Sequence, residues 1–181
     1  MLKKLVPAVL FLFLLTACGN AGWDVFETDT WSVEFPGTPK DTASIDGDVS
    51  SVKVFYEPKE NKLDSNVYYS VSNYNMKDSL VQLASYHEKL FHTDVQIYAW
   101  GIGGILADSV GKPVKAGNIS GYEYRVIIGE NAGLARIRKF AFGRRVYTVL
   151  VLTENAYIAN KQADYFLNSF RFKADSKQAG K

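Results

Sequence analysis

Few side chains in this 181-residue chain have the type and spacing that chemistry needs. Cys18 is the only thiol, so a disulfide framework and a cysteine-based zinc site are both excluded. His87 and His92 are the only imidazoles. Five residues apart on one helix, they stand about 140° from each other and cannot share a metal as an i, i+4 pair would. His87 falls in an apolar stripe and reads as a core histidine with a hydrogen-bond partner, while His92 reads as exposed or capping a helix end. Asp46 and Asp48 flank Gly47, which suits a hairpin turn better than a calcium loop with its roughly six to eight oxygen ligands. Gly117-Asn118-Ile119-Ser120-Gly121 lacks the Gly-x-Ser-x-Gly pattern of a serine nucleophile. Gly101-Ile102-Gly103-Gly104 lacks both the Lys-Ser/Thr end and the glycine spacing of a phosphate loop. With no acid–base pair, metal set or nucleophile standing out, the chain reads as non-catalytic and without a cofactor in its domain.

Two groups are left as ligand-binding candidates. Arg136, Arg138, Lys139, Arg144 and Arg145 form the one basic concentration, with Arg136 and Arg138 on one face of a strand and Lys139 on the other. They read either as an anion site for lipid headgroups or an acidic partner, or as charges guarding an edge strand against aggregation. Tyr122 and Tyr124 share a strand face and read either as rings that stack on a sugar or a protein, or as packing at the rim of a sheet.

The elements that must position these groups follow from periodicity. Trp31–Phe35 alternates at period two and stops at Pro36-Gly37-Thr38-Pro39. Lys40–Ile45 and Val49–Glu57 read as strands around an Asp46-Gly47 hairpin turn, followed by a strand over Asn66–Tyr74. Asp78 can cap a helix whose apolar edge is Leu80, Leu83, Ala84, His87, Leu90 and Phe91. From Val95 to Asp108 the glycines argue for a bend. Beyond it, Val114 falls in a short strand, and Tyr122–Ile128, Leu134–Phe142 and Arg145–Leu152 read as hairpin-linked strands. The last of these is apolar on both faces and should be covered on both sides. A helix over about Ala156–Asn168 and a short strand at Phe170–Phe172 complete an α+β domain with a mostly antiparallel sheet.

The N-terminus is an address. Lys3 and Lys4 precede an apolar run, Leu5–Leu15, that fits a secretory signal and is too short for a membrane span of about 20 residues. The end of the run, Leu15-Thr16-Ala17-Cys18, resembles the lipobox of bacterial lipoproteins. The resemblance implies cleavage between Ala17 and Cys18 and a covalent lipid on Cys18, with acyl chains that together anchor the protein stably. Removing residues 1–17 takes two lysines and no acid, so the 21 basic residues become 19, matching the 19 acidic ones. A neutral mature chain argues against nucleic acid as a partner. Gly19, where the family's inner-membrane retention signal has Asp, implies the outer membrane, facing the periplasm.

A second resemblance concerns the domain. Val33-Glu34-Phe35-Pro36-Gly37-Thr38-Pro39, Gly143-Arg144-Arg145-Val146-Tyr147 and Phe166-Leu167-Asn168-Ser169-Phe170-Arg171-Phe172 look like the opening turn, late hairpin and closing segment of the PsbP/Mog-like superfamily. This implies an α/β/α sandwich. Its relatives, an extrinsic photosystem II subunit and a Ran-binding protein among them, share a fold and not an activity. The expected organisation is a signal peptide at 1–17, a lipidated tether at 18–29, the domain at 30–172 and a solvated tail at 173–181. The expected function is that of a lipid-anchored envelope protein that binds or stabilises another envelope protein. The alternative is a small-ligand or carbohydrate-binding module.

Overall fold

The computed structural model describes residues 22–46, 49–59, 65–76, 83–129, 133–154 and 160–173. The signal peptide, the lipobox with Ala17, Cys18 and Gly19, the turn at Gly47-Asp48, the Asp78 cap, the first residues of the last expected helix and all of the tail but Lys173 lie outside them.

The strands are β1 (Asp24–Glu27), β2 (Trp31–Phe35), β3 (Lys40–Asp46), β4 (Val49–Tyr56), β5 (Asn66–Asn75), β6 (Gly104–Leu106), β7 (Lys112–Ala116), β8 (Ile119–Ile128), β9 (Gly133–Phe142), β10 (Arg145–Thr153) and β11 (Arg171–Phe172). The helices are α1 (Ala84–Gly101) and α2 (Lys161–Ser169). The main sheet runs β3-β4-β5-β10-β9-β8-β6, with β7 also on β8, and every pairing in it is antiparallel. A second, smaller sheet has the order β1-β2-β11. The chain is therefore an α+β protein built mostly of antiparallel strands.

Alternation along the central strands feeds two cores. From β10, Tyr147, Val149 and Val151 enter one, with Tyr69, Val71 and Phe140, against Trp31 and Phe35 of the small sheet and Phe166 and Phe170 at α2. Val146 and Leu150 enter the other, with Tyr124, Val126, Ala135 and Ile137, against Phe91, Val95 and Ala99 of α1. The doubly apolar strand is thus covered on both sides, as its composition requires.

Two boundaries differ from expectation. Residues 24–27, read as tether, form β1 and pair with β2, and Trp23 already packs on the Tyr165 ring, 4.7 Å between centroids. Only Phe26 in β1 turns toward the core, so the strand carries almost no hydrophobic alternation. The other is the end of α1: the turn expected at Gly101, Gly103 and Gly104 is present, but the helix first runs through the stretch from Val95 to Trp100. Helix α1 continues to Gly101, because Val95 and Ala99 extend the buried edge begun by Phe91. The glycines act only past its end, where Gly103 takes φ 67°.

One glycine is required by close approach. In β8, Gly121 lies opposite Phe140, and a Cβ there would meet the Lys139 carbonyl and the Phe140 ring. Backbone cannot step aside as a flexible side chain can. Gly121→Ala is expected to destabilise the domain by about 3 kcal/mol, the upper end of overpacking effects, read as a lowered urea midpoint.

Candidate functional site

Of the basic concentration, Arg136, Arg138 and Lys139 lie on β9, which sits between β10 and β8 in the sheet interior, while Arg144 is exposed in the β9–β10 turn and Arg145 opens β10, donating to Asn75 and Asn73. The edge-guard reading is therefore corrected. The sequence places the charges on a strand but does not reveal where that strand stands in the sheet. The two faces are divided as expected, with Arg136 and Arg138 on the α2 side and Lys139 on the α1 side.

On the α2 side, Glu123 of β8 stands between the two arginines. Its Oε1 accepts from Arg136 Nε and Nη2 at 3.0 and 2.8 Å, and its Oε2 accepts from Arg138 Nε at 2.6 Å. Arg138 also donates to the Leu167 carbonyl at 2.7 Å, and Arg136 to Asp164 at 2.5 Å, so both guanidiniums reach α2. Glu123 and Arg138 are only 9% and 8% exposed. Burial raises the Glu123 pKa, but the charges and hydrogen bonds of Arg136 and Arg138 outweigh it and hold the carboxyl below its ordinary range.

On the α1 side, Lys139 Nζ lies 2.9 Å from Asp94 Oδ2 and donates to Thr148 Oγ1 at 2.8 Å. The same Asp94 oxygen accepts from the Tyr74 hydroxyl at 2.5 Å. The basic run of β9 thus fastens both helical layers to the sheet. A free anion would have to displace carboxylates that already occupy Arg136 and Arg138.

The tyrosines are packed too. Tyr124 is fully buried, with its hydroxyl 3.4 Å from the Glu88 carbonyl, and burial pushes its pKa up. Tyr122 is half-buried with its ring 6.3 Å from that of Phe91. Both lie under α1 rather than at a rim, so the buried Tyr124 offers no ring for stacking on a sugar. His87 is half-buried and stacked 5.4 Å from Phe91. His92, expected to be exposed or to cap a helix end, is mid-helix and half-buried, 6.2 Å from the Tyr124 ring.

What the sequence did not reveal is an open cleft of about 510 Å³ beside α2. Helix α2 packs over β10 and β5 and against β2, and among the described residues no helix packs over the floor toward β8 and β6 on this face. Arg136, Glu123 and Asp164 form one wall. Arg125 and Asp108, a bidentate pair at 2.9 and 2.7 Å, form another. The Arg125 hydrogen bonds hold Asp108 below the usual carboxylate range. At the inner end Asn160 caps α2 by accepting from the Ala163 amide at 2.8 Å and donates to Asn66 at 2.6 Å, while Thr153 donates to Asn66 at 2.8 Å. Glu123 and Asp108 are held ionised, the opposite of what a general acid near neutral pH needs.

Beside the charged walls runs an apolar row. Ile105, Ile127 and Leu134 are register partners on adjacent strands, and Ile105 is 75% exposed. Val110 is exposed at the rim.

No family profile matches this chain, and no curated protein does. Among solved structures, a crystal structure from Bacteroides thetaiotaomicron VPI-5482 at 1.50 Å resolution aligns over 81% of this chain at 10% identity, with a TM-score of 0.43. The chain spans 46% of that protein's length. A likeness at this level assigns neither family nor activity.

Proposed function

We propose that this chain is a bacterial lipoprotein, held to the outer membrane through acyl chains on Cys18, whose non-catalytic domain binds or stabilises another envelope protein. The finer fold reading, a PsbP/Mog-like α/β/α sandwich, belongs to the same proposal. Its support is the placement of α1 on one face of the main sheet and α2 with the small sheet on the other.

The observation that carries the binding function is the apolar row Ile105–Ile127–Leu134, exposed at Ile105 and half-buried at Ile127 and Leu134, next to charges that already satisfy one another. An apolar strip with a paired polar rim resembles the anatomy of a protein interface. The cleft volume supports a second reading. At about 510 Å³ it falls within the range of about 300–1,000 Å³ that small-molecule sites occupy.

Two measurements test the proposal. Intact mass and membrane fractionation compare the natural chain with Cys18→Ser. Loss of residues 1–17, gain of acyl mass and release of the variant from membranes are expected. A soluble natural product with a free thiol overturns the anchor. A photo-cross-linker at Ile105 in whole cells is then expected to capture an envelope protein, and a small-molecule adduct there would favour the second reading instead.

A further inference from the structure

The outer face of α1 carries a second apolar stripe, exposed among the described residues at Leu83, Ile97 and Trp100, while Leu90 in its middle also touches the α1-side core. Phe91, Val95 and Ala99 mark the buried face at spacings of four. On the opposite side, at spacings of three, four, three, four and three, stand Leu83 at the N-cap, Tyr86, Leu90, Thr93, Ile97 and Trp100. At about 3.6 residues per turn the two stripes lie roughly half a turn apart. Trp100 is 69% exposed, Ile97 59% and Leu83 also exposed, while Tyr86 and Leu90 are half-buried on the flank. A globular surface helix ordinarily keeps its outer face polar. Alternating steps of three and four are the seam of a two-helix coiled coil.

We infer that this stripe pairs with the same stripe of a second copy of the chain, antiparallel, about a two-fold axis between residues 90 and 93. The sequence is self-complementary in that arrangement. Leu83 of one copy falls opposite Trp100 of the other, Tyr86 opposite Ile97, and Leu90 opposite the small Thr93. Along the flanks Lys89 falls opposite Gln96 and His87 opposite Asp94, so no like charges meet. A two-fold contact of this kind closes on itself and does not propagate into fibres.

The chain outside the described residues argues against the bilayer as the occupant. It enters at β1, in the small-sheet layer on the far side of the main sheet from α1. Residues 19–22 reach about 14 Å at most when extended. With layers stacked about 10 Å apart, an anchor at Cys18 sets the membrane against the opposite side of the domain.

The test is sedimentation equilibrium of the full mature chain, in density-matched detergent if it is acylated, beside Ile97→Glu/Trp100→Glu. Both chains are also run as Cys18→Ser, which removes an intermolecular disulfide as a route to a double mass and makes the result independent of the lipid reading. The native chain is expected at twice the chain mass. The double variant is expected at one chain mass with unchanged circular dichroism and thermal midpoint, because both side chains are exposed. Three results overturn the inference. One is a native chain of single mass. Another is a double variant that keeps the double mass. The third is a monomer whose tryptophan emission shifts to the blue on phosphatidylglycerol vesicles, which would give the stripe to a membrane surface.

Discussion

Glu123→Ala is expected to lower the stability of the domain by about 3–5 kcal/mol, because it leaves two largely buried guanidiniums without their shared counter-charge. For a domain of this size that is a fall in melting temperature on the order of 10 °C. Replacing the buried pair together, as Glu123→Leu/Arg138→Met, is expected to recover much of the loss, since Asp164 still holds Arg136. If the single variant melts like the natural protein, the ionic cluster does not fasten α2. The pH profile gives a separate reading. Because the folded pKa of Glu123 lies below its ordinary 4.5, its contribution is complete above that value and disappears as pH falls through the lowered one. Melting temperatures measured from pH 7 downward should therefore decline along an acid limb that Glu123→Gln flattens.

Asp94→Ala is expected to have an effect of similar size on the other face. It strands Lys139, which is 6% exposed, and removes the acceptor of the Tyr74 hydroxyl. Hydrogen exchange should show the amides of α1 losing protection before those of α2. Lys139→Met should be milder, because Tyr74 still donates to Asp94. The slope has the same sign as that of Glu123 but lies in the alkaline range. Burial pulls the Lys139 pKa below its ordinary 10.5, and Asp94 only partly restores it. Between the lowered value and 10.5 the unfolded chain holds more protons, so this group makes stability rise with pH. Tyr74 works the other way. Burial, then the hydrogen bond to Asp94, raises its pKa, so its contribution is lost as pH climbs past 10. The lysine limb is best read in a Tyr74→Phe background, where Lys139→Met should abolish it.

Period-two alternation and turn residues place β2, β4, β5, β8, β9 and β10 from the amino acids alone, and the double coverage of β10 follows from its composition. These elements are legible because each buries a regular face. The misses share a cause. Strand β1 has a single inward residue, and β6 is three residues long, so neither produces a period. In the second half of α1 the apolar residues fall on two opposite faces, which blurs the single stripe that marks an amphipathic helix. The site was legible only in part. The split between Arg136, Arg138 and Lys139 follows from strand geometry, but their partners do not. Glu123, Asp164 and Asp94 are carboxylates distant in sequence, and only the antiparallel register and the helix positions bring them to β9.

The small sheet sets a condition on when this domain can exist. Its middle strand, β2, takes β1 on one side and the last strand, β11, on the other, so residue 172 pairs with residue 31. Phe166 and Phe170 arrive with the same final segment and fill the core around Trp31 and Phe35. A chain still being synthesised, or threaded through a pore with its N-terminus leading, therefore cannot close the core around Trp31 and Phe35 until residues 166–172 have emerged. Under the proposed lipoprotein reading the chain crosses a membrane unfolded, and a core completed only by residues 166–172 keeps it threadable until that segment has passed.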